Sequence, residues 1–447
     1  MAYIDQASFL GLRALGRQPY FQGMWLYDRP VDLEGLRAFN ENLAHTLLGR
    51  LIEPSPLPWG RHRWVRSPQV PEILVESVAR DRSEINAWAE SIAELPIDPE
   101  HGPGWRLAVL PLTDGGSVVT MPIPHALGDG LCVLQALSDA AAGRLRGPRY
   151  PERGAVSKWR RFFGDLGSSF AELPSVARAA VAALKVLRAG DESAGAERTV
   201  PELTAPRALP AAGHGQPFRV PIASILVPQA EWDAVAARLG GTSNTLVSAV
   251  AASLGERLGR VGADGLVRLA VPVSIRESED TRANALDGAT IPVEPGSAVT
   301  DLRPLRAATK KALSSLGEAS HALLAALPLT PYLPRALVRK TEAVAMGATD
   351  LPVGCSNYGD LNPLVGRIDG ADASAMWARL KEPGLSAADL DRIGGQTYVL
   401  SGRILGHVFL STVAHVPGES LETAELHRLV SDVLAAFDLT GEVVGWA

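Results

Sequence analysis

The sequence predicts an α/β protein, layered as α+β, in two lobes of related build. Three observations carry this. The chain has 447 residues, too many for one ordinary core and suited to two domains of roughly 150–220 residues each. In both halves, β-rich runs alternate with runs of helical apolar spacing. Between the halves lies "DESAGAERTVPELTAPRALPAAGHGQP", whose Ala, Gly and Pro content marks a crossover. The expected organisation is a first lobe over 1–165, a crossover linker over 166–215 and a second lobe over 216–447.

In the first lobe, Asp32 stands where it can cap a helix containing Leu33, Leu36, Phe39, Leu43, Leu47 and Leu48. "PSPLPWGRHRWVRSP" reads as a Pro-rich loop with Arg61, Arg63 and Arg66 in solvent, and "RSEINAWAESIAELPID" as a short helix. "WRLAVLPL" and "SVVTMPIP" flank the turn "TDGG", which is a hairpin signal. The second strand delivers the chain to His125. "LCVLQALSDAAAG" (131–143) is then an apolar helix with Gly143 just past its end. "SVARAAVAALKVLRAG" is a further helix before the crossover.

The second half opens with the strand and helix of "FRVPIASILVPQAEWDAVAARLG", followed by a helix over 243–260 capped by Ser243 or Asn244. "GLVRLAVPVSIRE" (265–277) is a strand with a polar tip, and "NALDGATIPVEP" a second. "DLRPLRAATKKALSSLGEASHALLAAL" and "PYLPRALVRKTEAVAMG" read as helical. "DLPVGCSNYGDLNP" (350–363) is a strand running into a Gly/Asn loop; "TYVLSGRILGHVFLSTVAHVPG" (397–418) gives two strands, and a helix closes the chain.

Composition removes several function classes. Net charge is −6 with no basic block, which argues against a nucleic-acid partner. Two cysteines, Cys132 and Cys355, build neither a disulfide framework nor a metal spacing. The start lacks a basic segment followed by an apolar one, and no apolar run reaches the roughly 18 residues of a transmembrane span, so a cytoplasmic location is expected. No Gly-x-Gly-x-x-Gly follows a strand and there is no P-loop, so no tightly bound nucleotide cofactor is expected. "GCSNYG" lacks the second glycine of a nucleophile elbow.

The chemistry concentrates in "MPIPHALGDGLC" (121–132). A histidine at the end of a buried strand is suited to general-base work, because imidazole titrates near neutrality. It can take a proton from a hydroxyl or amine attacking a thioester and return it to the departing thiol. Asp129 can lock the loop by pairing with an arginine. Gly128 and Gly130 permit backbone that other residues resist, and Gly130 leaves room beside the histidine. The plainer reading is that Asp129 caps the helix at 131 and His125 bonds to a backbone carbonyl. A metal shared by His125 and Asp129 needs a helix that the two glycines oppose, and no third ligand is near, so no metal is expected. Ser356 and Asn357 are open between oxyanion donors and turn formers. Cys132 reads as core, and Cys355 has no histidine near it in sequence to make it a nucleophile. His407 and His415 lie in strands, and Trp25, Trp59, Trp64 and Trp105 read as core or interface.

"VVTMPIPHALGDGLCVLQAL" resembles the active-site segment of the thioester-dependent acyltransferase superfamily: condensation domains, plant BAHD enzymes, polyketide-associated acyltransferases and wax ester synthases. "PVSIRE" (272–277), "NALDGATIPVEP" and "GCSNYGDL" (354–361) are similar to the wax-synthase and polyketide-associated branch. The resemblance implies two chloramphenicol-acetyltransferase-like lobes with a tunnel between them. It implies His125 as catalytic base, Asp129 as structural and Gly130 along the tunnel, with Arg276 the candidate partner of Asp129 and Ser356 and Asn357 candidate oxyanion or tunnel residues. The implied co-substrate is a coenzyme A or phosphopantetheine thioester, delivered free or on an acyl carrier protein, with a small-molecule alcohol or amine as acceptor and a monomer as the working unit. Two departures matter: Pro124 stands where condensation domains carry a first histidine, and the BAHD Asp-Phe-Gly-Trp-Gly motif is missing. Both favour a stand-alone bacterial O- or N-acyltransferase. Two other functions stay open: a non-catalytic scaffold of the same fold, and a cyclisation or dehydration by the same histidine.

Overall fold

The computed structural model describes residues 1–145, 147, 149–193, 218–277, 279–314, 316, 325, 327–333 and 351–445. The first half contributes strands β1 (Tyr20–Tyr27), β2 (Arg50–Glu53), β3 (Arg63–Arg66), β4 (Ile73–Val75), β5 (Leu107–Pro111) and β6 (Ser117–Pro124). The second contributes β7 (Ile222–Pro228), β8 (Val267–Ser274), β9 (Leu286–Val293), β10 (Val353–Asp360), β11 (Ala375–Lys381), β12 (Gln396–Ile404), β13 (His407–His415) and β14 (Glu442–Val443). They form a five-stranded sheet ordered β11-β1-β6-β5-β4, a seven-stranded sheet ordered β14-β7-β13-β12-β10-β8-β9, and the β2–β3 pair. The α/β class and the two-lobed layering expected from the sequence are both present.

The chain crosses back between its halves. β11 pairs antiparallel with β1 from Tyr20↔Lys381 to Leu26↔Ala375, so residues deep in the second half complete the first sheet. Arg379 and Lys381 are buried in this strand. Arg379 donates to Gln22 Oε1 (2.9 Å) and Asn86 Oδ1 (3.0 Å), and Lys381 is ion-paired with Glu90. Buried charges persist in a core only when paired and hydrogen-bonded. A strand carrying them has no apolar alternation to announce it.

The helix Lys158–Ser193 covers 166–193, where the sequence suggests a linker; 194–215 lie outside the described residues, as does most of the helix expected over "PYLPRALVRKTEAVAMG". The Pro-rich loop conceals β3, whose Trp64 and Val65 are buried. Arg61 and Arg63 are not simply solvated, for they reach Glu172 and Asp165 on that long helix.

The seven-stranded sheet is covered on both faces. Val227, Val399, Val408 and Leu410 pack on the helices Ser243–Arg257 and Thr423–Ala436. Leu226, Leu400, Ile404 and Phe409, one residue out of phase, join the core of the first lobe. Successive strand side chains point to opposite faces, so β10 must do the same, and this decides what it can offer the site.

Candidate active site

β6 is wholly buried between β1 and β5. Its last β5 pair is Ala108↔Thr120; beyond it Arg106 N donates to Pro122 O (3.3 Å), and Pro122 and Pro124 have no N–H to extend the ladder. His125 follows at the strand end. Its N–H donates to Pro19 O (2.9 Å), and its carbonyl accepts from Gly128 N (3.2 Å), which closes a tight turn. Neither Gly128 nor Gly130 has a positive φ. The backbone freedom expected of them is therefore not what the turn uses.

Gly130 is needed for space instead. A Cβ there would lie 2.2 Å from the hydroxyl of Tyr358, whose ring meets Phe21 at 6.1 Å between centroids. The room beside the motif is thus occupied by a tyrosine from β10. Gly130→Ala is expected to push that ring and cost roughly 1–3 kcal/mol. Urea denaturation should show the loss, and adding Tyr358→Ala should recover part of it. An unchanged midpoint for Gly130→Ala would contradict the contact.

Asp129 performs two jobs at once. Its Oδ1 accepts from Cys132 N (2.8 Å), capping the helix Gly130–Ala141, in which Gly143 follows the C-cap with φ 64°. Its Oδ2 accepts from Arg276 Nη2 (2.7 Å) and Ala285 N (2.8 Å), and its own N–H donates to Ala283 O (2.8 Å). The carboxylate is fully buried. Arg276 lies at the tip beyond β8 and also binds the carbonyls of Arg282 (2.9 Å) and Ala283 (3.1 Å). The cap and the ion pair named in the sequence are therefore both present.

Two further ties hold the 275–285 loop on the first lobe. Asn284 N donates to Asp5 Oδ1 (2.8 Å). Buried Arg50 donates to Thr281 O (2.6 Å) and Leu127 O (3.2 Å) and stacks on Trp64 at 4.1 Å. Sequence reasoning missed Asp5 and Arg50, for neither stands in a motif. It also missed Tyr358, although alternation along β10 groups Tyr358 with Ser356.

Those two residues share the face of β10 that fronts the first lobe. Ser356 is hydrogen-bonded to the Tyr398 hydroxyl. Asn357 is on the other face, where its amide donates to Asn244 Oδ1 (3.1 Å) and its carbonyl accepts from Gly359 N (3.0 Å). The structure thus puts Ser356 on the face of β10 that carries Tyr358, and Asn357 on the opposite face.

His125 keeps some exposed surface, yet enough protein surrounds it to matter. Burial lowers its pKa below the ordinary 6.5, and this outweighs Asp129, a bond to its own backbone carbonyl, and Glu382, which all favour the proton. Glu382 is itself engaged by Arg17 (2.5 and 2.7 Å). The imidazole is therefore neutral at neutral pH. The thiols are poor nucleophiles by the same physics: burial pushes Cys132 up to about 11 and Cys355 up to about 12. His415 binds Asp391 (2.7 Å) and His407 the Leu405 carbonyl (3.0 Å). Asp98, Glu100 and His101 bring ligand atoms within 4.8 Å of one another. Among the described residues, His125 and Asp129 belong to no such group.

Neither a protein-family model nor a curated protein matches the sequence. Solved structures do match the fold. The first condensation domain of the CDA synthetase aligns with a TM-score of 0.54 at 14% identity, over 98% of this chain and 97% of its own. A wax ester synthase/diacylglycerol acyltransferase from Marinobacter aquaeolei VT8 aligns with a TM-score of 0.52 at 17% identity, over 98% of both chains. The nonribosomal peptide synthetase FmoA3 aligns with a TM-score of 0.51 at 17% identity over 98% of this chain, which spans 42% of that synthetase. A strand-end histidine, a cap clasped by the second lobe and two sheets joined by an exchanged strand are thus built on the fold of condensation domains and of a wax ester synthase.

Proposed function

We propose that the chain is an acyltransferase that moves an acyl group from a coenzyme A or carrier-protein thioester to a hydroxyl or amine. The observation that carries this reading is a neutral imidazole, His125, held at the end of a central strand by a loop that Asp129 and Arg276 clasp. The fold shared with a wax ester synthase and condensation domains supports it.

A ring nitrogen of His125 takes the acceptor's proton as its oxygen or nitrogen attacks the thioester carbonyl carbon. The tetrahedral adduct collapses, the C–S bond breaks, and the departing sulfur takes the proton from the imidazolium. The net change is one ester or amide formed and one thiol released. Asp129 does not touch the substrate; it fixes the turn. Ser356 stands as the oxyanion or acceptor contact. Asn357 is engaged elsewhere and keeps only a role in shaping β10. All of these groups come from one chain, so a monomer suffices.

The test is a panel of acyl-CoA and acyl-carrier thioesters with alcohols and amines, read by product mass and thiol release. An acylated acceptor formed by wild type but not by His125→Ala supports the reading. A cyclised or dehydrated product, or no turnover with any pair, would overturn it.

The pH dependence has a definite sign. With the folded pKa below 6.5, His125 is the free base above that pH and gains its proton only under more acidic conditions. The unfolded chain takes up this proton first, so the stability it contributes is complete above 6.5 and is lost as pH falls toward the folded value. The acid limb of kcat/KM is expected below pH 6.5. A limb at or above 6.5 would contradict the electrostatics of the site.

A further inference from the structure

We propose that the outward face of the helix Lys158–Ser193 docks on an anionic phospholipid surface. Trp159, Phe163, Phe170, Leu173 and Val181 are all more than half exposed, with Trp159 at 73%. At 3.6 residues per turn these five fall within an arc of about 80° and run for about 33 Å. They form one apolar stripe on the solvent side. Trp159 and Phe163 stack at 6.4 Å between centroids. The turn Leu327–Tyr332 packs on the same helix and leaves Tyr332 and Leu333 exposed.

The orientation is the reverse of an ordinary surface helix, which buries its apolar stripe. Polar groups hold this one to the body. Asp165 is paired with Arg63 and accepts from Ser55 Oγ (2.6 Å), and Glu172 is paired with Arg61 (3.2 Å). These are the acidic residues of 158–181, and both are committed to the first lobe. Lys158, Arg160 and Arg178 remain exposed, and the first two carry no ion pair among the described residues. Over 158–181 the outward face therefore combines aromatic and aliphatic side chains with positive charge alone.

That combination fits an interface where rings enter the headgroup boundary and cations meet lipid phosphates. A second copy fits less well. Pairing two such helices antiparallel would set Arg160 near Arg178 and oppose like charges. Among the described residues no helix is long and apolar enough to cross a membrane, so the contact is one of lying on the surface.

The test is flotation of the intact chain with vesicles of phosphatidylcholine, alone or with about one third phosphatidylglycerol. Binding to the anionic vesicles is expected, weakened by salt and reduced about tenfold or more in Trp159→Ser/Phe163→Ser and in Lys158→Glu/Arg160→Glu. Circular dichroism and turnover of a soluble thioester should stay unchanged in both variants. The proposal is overturned if wild type does not float with the anionic vesicles, or if both variants float as well as wild type. It is also overturned if sedimentation shows a dimer that these variants dissolve while vesicle binding is absent.

Discussion

His125→Ala is expected to lower kcat/KM by about a hundred- to ten-thousand-fold while the protein stays folded. The size follows from what one positioned base contributes. The retained fold follows from the surroundings: the turn is closed by backbone bonds to Pro19 and Gly128, not by the imidazole. Above pH 6.5 the imidazole is mostly uncharged whether the chain is folded or unfolded, so removing it takes away no proton-linked stability at neutral pH. Steady-state kinetics on the acylation panel, with near-ultraviolet circular dichroism as the control, check both halves. A folded variant with undiminished turnover would end the general-base assignment.

Arg276→Ala is expected to lose stability and activity together. It leaves the Asp129 carboxylate, which has no exposed surface, with backbone donors but no countercharge. Breaking a buried pair from one side costs about 3–5 kcal/mol, which should show as a clear drop in thermal midpoint. Asp129→Ala adds the loss of the helix cap, about 1 kcal/mol more. The two losses should not add: once either partner is gone, removing the other costs much less, and a double-mutant cycle measures that coupling. Additive losses would show that the clasp contributes nothing. The activity loss has its own cause, because the clasped loop carries His125.

The motif region was the most legible part of the chain. β5, the hairpin turn, β6 and the helix Gly130–Ala141 each announce themselves through local periodicity and turn chemistry. Arg276 was named as the residue at the tip of β8, and its pairing with Asp129 was what the family resemblance implied. What stayed hidden depends on distance along the chain. β11 carries Arg379 and Lys381 where apolar residues would be expected, and only Gln22, Asn86 and Glu90 make that tolerable. Gly130 reads as a flexible residue, and only the arrival of Tyr358 from β10 shows that its missing side chain is the point. Asn357 sits beside Ser356 in sequence, yet strand alternation sends them to opposite faces.

The exchanged strand has a consequence for how the protein is made. β1 and β6 leave the ribosome before β11, and the edge that β11 covers has no partner until about 250 residues beyond β6 have been translated. At cellular elongation rates that is a wait of roughly ten seconds to a minute. During it β1 presents open backbone groups to any passing strand. The nascent first half therefore cannot mature vectorially as a finished unit, and closure of the first sheet waits for the strand that the second half supplies.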